Sequence, residues 1–339
     1  MRFFLRSRAR ARTLLLCALA LALVPSAGCS GTTDYGLIGG EKVDPSVIDR
    51  DPLALLPRGV LVLGSIDTAA MFQSKWGPEA AQIVTTLLPL GPESNFVPTR
   101  DVTRVVSGIY AMQGADFCAV VQGNFDVPAI QRAVDARAIV IDGAPLVKTR
   151  YAGSDLYTAS NFGFTLVTSH TVLSGNETGM RRALDRLRFG KLEQSVPQWM
   201  LDLANTKGAT MALAGDLGAP NAVDVTSAKV PFLGAVHQVR VVGNFLPPGM
   251  NFAGTLSYAD AASAASAAQT LQHAQQIAQL ASMFTSIGWG AAIPSPDIAV
   301  QQSDVAFTVK VDDNFVRLLL KHFGDMARAA TTTTRTAPR

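Results

Sequence analysis

Apolar and polar positions along this chain switch repeatedly between a period near two and a period near 3.6, the signatures of strand and helix. Gly59 to Ile66 is a short apolar run, as in a buried strand, and Asp67 and Thr68 follow it as helix N-cap residues. A helix is predicted through Met71 and Phe72, broken near Gly77-Pro78 and resumed from Glu79 to Leu88. Val102 to Met112 and Phe117 to Phe125 read as two strands around Gln113-Gly114-Ala115-Asp116, a hairpin signal. Asp126 then caps a helix from Val127 to Ala136, with Pro128 in the first turn, where a missing N–H costs nothing. Strands are predicted at Leu146 to Thr158 and Phe162 to Ser174. From Glu177 to Arg188, Met180, Ala183, Leu184 and Leu187 fall on one helical face.

The second half repeats this plan. Ala209 to Leu213 matches the first strand in type. Val236 to Asp260 and Val102 to Asp126 each read strand, Gly-containing turn, strand, Asp, and a helix follows each Asp. The second such helix is Ala-rich, from Ala261 to Ile287. Ile298 to Val311 reads as a strand or hairpin, Asp312 or Asp313 as a cap, and Phe315 to Ala329 as a helix. Hairpins alternating with helices predict an α+β fold, a duplicated unit of antiparallel hairpins covered by helices. The expected repeats are 55–200 and 201–330, with a Thr-rich, disordered tail at 331–339. The body is similar to uncharacterised families of exported bacterial proteins with repeated α+β units, over roughly residues 55 to 325, a likeness that implies no activity.

The N-terminus changes the picture. Arg2, Arg6, Arg8, Arg10 and Arg12 precede an apolar stretch from Leu14 to Val24, and no acid occurs before Asp34. Eleven helical residues span only ~16 Å, too short for a hydrocarbon core of ~30 Å. A basic start, a short apolar core and small exit residues make a secretory signal peptide, residues 1–28. The exit, Ser26-Ala27-Gly28-Cys29, resembles the bacterial lipoprotein class, with Ser26 standing where Leu is usual. That resemblance implies cleavage between Gly28 and Cys29 and acylation (palmitate or a similar chain) of Cys29. Residues 29–54, rich in Gly and small polar residues, are then expected to be the lipidated N-terminus and a flexible tether. Ser30, not Asp, follows the Cys, which points to the outer membrane, facing the periplasm.

Charge then reads differently. The whole chain carries +3, but five of its 29 basic residues and none of its 26 acidic ones lie in the leader. The exported part has 29 less five, or 24, basic residues against 26 acidic, a near-neutral surface with no electrostatic reason to bind nucleic acid. Cys17 goes with the leader and Cys29 takes lipid, so Cys118 is left alone and no intrachain disulfide is expected.

Little catalytic chemistry is visible. Gly-x-Ser-x-Gly, Ser-x-x-Lys, Gly-x-Gly-x-x-Gly and His-Glu-x-x-His are absent. Gly31 and Gly36 have phosphate-loop spacing, but Leu37 stands where a Lys is needed. His170, His237, His273 and His322 are far apart in sequence, so no metal and no cofactor are expected. Cys118 lies in an apolar run with no thiolate-stabilising neighbour, the pattern of an inert core residue. Asp312-Asp313 could pair for acid–base work or a cation, but caps for the following helix are the simpler reading. Arg181-Arg182 with Arg186 and Arg188 could receive an acidic partner, or be a solvated helix face. The Ala-rich helix permits close packing or lines a groove for an apolar ligand or a partner helix. Trp76, Trp199 and Trp289, all near helix ends, are candidate interaction residues.

The reading that follows is a membrane-anchored envelope lipoprotein and a non-catalytic binding or structural module. Its expected partners are the membrane, through the lipid, and an envelope protein or apolar ligand. The alternatives are an envelope hydrolase with scattered active-site residues, or a carrier of apolar lipid.

Overall fold

The structure is a computed structural model, and it describes residues 43–313, 316, 317 and 320, save 112–115, 142, 160, 191, 221, 223–234, 247–248 and 286–295. The body starts at helix α1 (Pro45–Arg50) and a 3-10 turn (Pro52–Leu55). Strand β1 (Val62–Asp67) leads into α2 (Thr68–Gln73), α3 (Gly77–Leu87) and the single turn α4 (Pro98–Asp101). The hairpin β2 (Val102–Ala111) and β3 (Asp116–Gly123) comes next, then α5 (Val127–Asp135) and the short ribbon β4 (Val140–Ile141) and β5 (Ala144–Pro145). Four strands follow: β6 (Val147–Tyr151), β7 (Ser154–Ala159), β8 (Phe162–Leu166) and β9 (Thr171–Asn176). Helices α6 (Glu177–Arg188) and α7 (Gln198–Ala204) precede β10 (Met211–Asp216), β11 (Val236–Asn244) and β12 (Gly249–Tyr258). The chain continues through α8 (Ala261–Thr285), β13 (Asp297–Gln301) and β14 (Asp304–Asp312).

One device starts four of these helices. At each junction the residue closing the strand or its loop is Asp or Asn, and its side-chain oxygen accepts a backbone N–H of the first helical turn. Asp67 accepts from Ala70 at 2.9 Å, Asp126 from Ala129 at 3.0 Å, Asn176 from Gly179 at 3.0 Å and Asp260 from Ser263 at 2.8 Å. The acceptor satisfies an amide that the helix itself leaves without a partner. At α6 the approach is close enough to require glycine: a Cβ on Gly179 would lie 2.3 Å from the Phe117 carbonyl oxygen of β3.

Twelve strands form one antiparallel sheet in the order β13-β14-β12-β11-β10-β1-β2-β3-β9-β8-β7-β6. β1 and β10 pair at its centre, Leu63 opposite Ala214, so both halves of the chain share this sheet. The hairpins β2–β3 and β11–β12 lie outward on either side of that pair, and β9 and β14 lie beyond them. The second half thus repeats the layout of the first, an α+β duplicated unit of antiparallel hairpins covered by helices.

The two faces are covered unequally. On one face Leu63, Val106, Cys118, Val120, Leu156 and Leu173 pack under Met180, Ala183 and Leu184 of α6 and Met200 of α7. Leu53, Leu55 and Leu56 of the N-terminal segment close this core. Each large side chain removed from water there contributes about 1.5–3 kcal/mol. On the other face α5 covers Val121, Phe164 and Val172. That face stays covered across the second half, where Ala264, Ala267 and Ala268 of α8 pack on Leu256, Tyr258 and Val305. Trp76, Val316 and Leu320 pack there beside Met250 and Val311.

Several expectations change. The segment expected to be flexible up to residue 54 is ordered from α1 onward. Asp44 caps α1 by accepting from Ser46 N at 2.7 Å, Pro45 occupies the first turn, and Leu55 and Leu56 are fully buried. Leu146 to Thr158 is a hairpin, β6 and β7, because Ala152 (φ 51°) and Gly153 (φ 83°) turn the chain in the left-handed region. Phe162 to Ser174 likewise splits into β8 and β9. Helix α7 was not expected. The tail 331–339 and most of the helix expected at 315–329 lie outside the described residues.

Candidate binding surface

The α6 face of the sheet changes character past its centre. From β1 outward, one row across the strands is Leu63, Ala214, Arg240, Thr255, Ala306 and Ala299. A parallel row is Ser65, Ala212, Val242, Ala253, Thr308 and Asp297. Leu63 and Ala214 are buried, whereas Arg240, Ala253, Ala299, Thr308 and Lys310 are exposed. Among the described residues no helix lies on this part of the face. Its small and polar side chains are what a solvated sheet face requires, while alternate positions such as Leu256, Val305, Met250 and Val311 are apolar and buried.

The boundary between covered and bare sheet is a groove of about 280 Å³, lined by Trp199, Asp202, Leu203, Thr206 and Arg240. Helix α7 supplies the wall and β11 the floor. The Arg240 guanidinium lies 5.1 Å from the centroid of the half-buried Trp199 ring, within range of a cation–π attraction. Gln238 accepts from Arg240 at 2.9 Å, and Asp202 accepts from Gln198 at 2.8 Å. The groove therefore offers an aromatic face, a cation and a carboxylate, each held by a neighbour. No sequence motif marks it, because Trp199 and Arg240 meet only through the packing of α7 on β10 and β11.

Other candidate residues fall as follows. Gly28 and Cys29 lie outside the described residues, as do His322 and Trp289. Cys118 is free and fully buried, and burial pushes its thiol up to about 12, so it is not a thiolate nucleophile at neutral pH. Among the described residues, no three His, Cys, Asp or Glu side chains gather as a metal site would need. Asp312 ends β14 and Asp313 pairs with Lys75, which separates their roles.

The arginines of α6 are largely occupied within the protein. Arg181 pairs with Glu177, and Arg182 lies over the Tyr110 ring and 3.4 Å from Asp116. Arg186 is only 8% exposed and donates to the carbonyls of Ala54 and Glu193; burial lowers its pKa. These residues fasten the N-terminal segment and the loop after α6 more than they present charge to a partner. Trp76 is buried in the second-half core, so Trp199 is the described tryptophan at an accessible surface. No described helix is long and apolar enough to cross a membrane.

No protein-family model matches the sequence, and no curated protein matches it either. Among solved structures, crystal form I of TP0453 superposes with a TM-score of 0.50 and 12% identity, over 82% of this chain and 96% of that one. The fold of this chain is similar to that of TP0453. Crystal form IV gives 0.48 at 14% identity over 80% and 96% of the two chains, and form III gives 0.47 at 13% over 86% and 98%. At such identity the likeness to TP0453 concerns the fold alone.

Proposed function

We propose that this chain is a lipoprotein of the bacterial envelope, acylated on Cys29 and facing the periplasm from the outer membrane, and that it acts as a non-catalytic binding module. The observation that carries the reading is the run from the basic leader through the apolar core to Ala27-Gly28-Cys29. Several acyl chains together anchor a protein stably, at ~0.8 kcal/mol per buried methylene.

The geometry supports a binding role. Residues from Asp44 to Leu56 are fixed on the α6 face of the sheet, the same face that no described helix covers over β12–β14. Fourteen residues lie between Cys29 and Asp44, a reach of at most ~54 Å. A partner seated in the Trp199–Arg240 groove would be a protein surface, since the groove is shallow and its floor is flat sheet. Tyr, Trp and Arg are the side chains that most often carry binding energy at such surfaces.

Intact mass of the protein purified from its native membrane, wild type beside Cys29→Ala, tests the reading. An acylated Cys29 at the wild-type N-terminus, lost with release of the variant from the membrane, is the expected result. An unmodified wild type cleaved elsewhere would overturn it.

A further inference from the structure

The two edges of the twelve-stranded sheet are not alike. An open strand edge exposes unpaired backbone N–H and C=O groups, and natural proteins guard such edges with charge, proline, bulges or a covering element. β6 is guarded: it carries Lys148 and Arg150, and Lys148 pairs with Asp155 at 3.0 Å. β13 is guarded less: its single charge is Asp297 at the first position, next to Pro296, it has neither lysine nor arginine, and its ladder with β14 has no bulge. Four of its five residues are exposed, and Val300 is a large apolar side chain 45% exposed.

The sequence of β13 is also complementary to itself. It reads Asp297-Ile298-Ala299-Val300-Gln301. Placed antiparallel to a second copy about Ala299, it sets Asp297 against Gln301, an acceptor against a donor. Ile298 falls opposite Val300 on the α8 side of the sheet, and Ala299 falls opposite itself. Cross-strand β-branched pairs are favourable, and the arrangement keeps the Asp297 carboxylates of the two copies apart. Such an interface is closed and two-fold, with the same patch on each subunit.

We propose that β13 is the docking edge for a second copy of this chain, the two β13 strands pairing antiparallel about Ala299 and joining two sheets into one. The Ile298 and Val300 side chains then cover one another, and the outward backbone groups of β13, which pair with no other strand among the described residues, gain partners. The proposal does not depend on the lipid anchor, because β13 lies in the body and its edge is present whether or not Cys29 is modified.

Full-length protein in detergent gives the test, with mass measured by light scattering and by mild oxidation of Ala299→Cys. Residues directly opposed in an antiparallel pair have Cα atoms roughly 4.5–5.5 Å apart, within disulfide reach. The expected result is a doubled mass for wild type and an interchain disulfide for Ala299→Cys. Thr149→Cys on the opposite edge should form none, and Val300→Lys should lose the dimer while keeping its far-ultraviolet dichroism. A wild type that stays monomeric as concentration rises would overturn the proposal. So would a dimer in which Ala299→Cys fails to cross-link, or one that Val300→Lys leaves intact.

Discussion

Asp49 on the first helix accepts a hydrogen bond from the hydroxyl of Thr171 on β9, at 2.7 Å, across 122 residues of sequence. The same carboxylate oxygen accepts from Thr168, and Gln122 donates to the Asp49 backbone carbonyl. Thr171 is fully buried, so its hydroxyl depends on this acceptor. Replacing Asp49 by Ala leaves the hydroxyl without its carboxylate, at a cost of about 1–3 kcal/mol. A lower urea midpoint with faster amide exchange over 45–56 is expected; exchange unchanged in that segment would show that the bond does not hold it.

Asn176 serves two elements at once. Its side-chain oxygen caps α6 through Gly179 and also accepts from Phe117 N at 3.2 Å, tying helix to β3. Asn176→Ala should destabilise the protein by about 1–2 kcal/mol, the upper range for a lost cap, and Asn176→Asp should cost less. Thermal unfolding of Asn176→Ala beside Asn176→Leu distinguishes capping from packing, since Leu keeps the volume without the acceptor and should lose as much as Ala if the cap is what holds.

The caps impose an acid limit on stability. The Ala129 N–H bonded to Asp126 holds its carboxyl below the ordinary aspartate value, and the Ser263 N–H does the same for Asp260. Both groups have a folded value below the unfolded one. Their contribution is therefore complete above the unfolded value and is lost as pH falls through the folded value. The double variant Asp126→Asn, Asp260→Asn should lose less stability than wild type between about pH 5 and pH 3. Chemical denaturation at those two values gives the comparison, and equal acid losses would remove the caps from the account.

Cys118 should be silent toward thiol reagents in the native protein. Its sulfur is fully buried among Val106, Val120 and Met180, and its pKa stands at about 12. Labelling with a disulfide reagent is expected only at the rate of unfolding, rising in urea with the dichroism signal. Rapid labelling in native buffer would mean that the α6 face opens locally.

Much of this protein could be read from local pattern. The helix Glu177–Arg188, the β2–β3 hairpin and the caps at Asp67, Asp126 and Asp260 lie where the sequence places them, because period and capping act over a few residues. The cap and proline of Asp44-Pro45 were equally local, yet the Gly-rich sequence before them masked a helix whose burial depends on α6 and β9. Ala152-Gly153 carried a turn signal inside what looked like one long strand. Helix α7, at seven residues, is too short to declare a period and is held by Met200 and Leu201 in the core.

The sequence by itself determined the α+β plan with its duplicated hairpins, most of the covering helices and the Asp caps that start three of them. Only the tertiary structure decided that β1 and β10 pair near the centre of one sheet, that α7 brings Trp199 to Arg240, and that described helices cover β12–β14 on one side alone. The reason is physical: periodicity tells which side of an element is apolar, but partner choice between distant strands is set by the packing of the whole core.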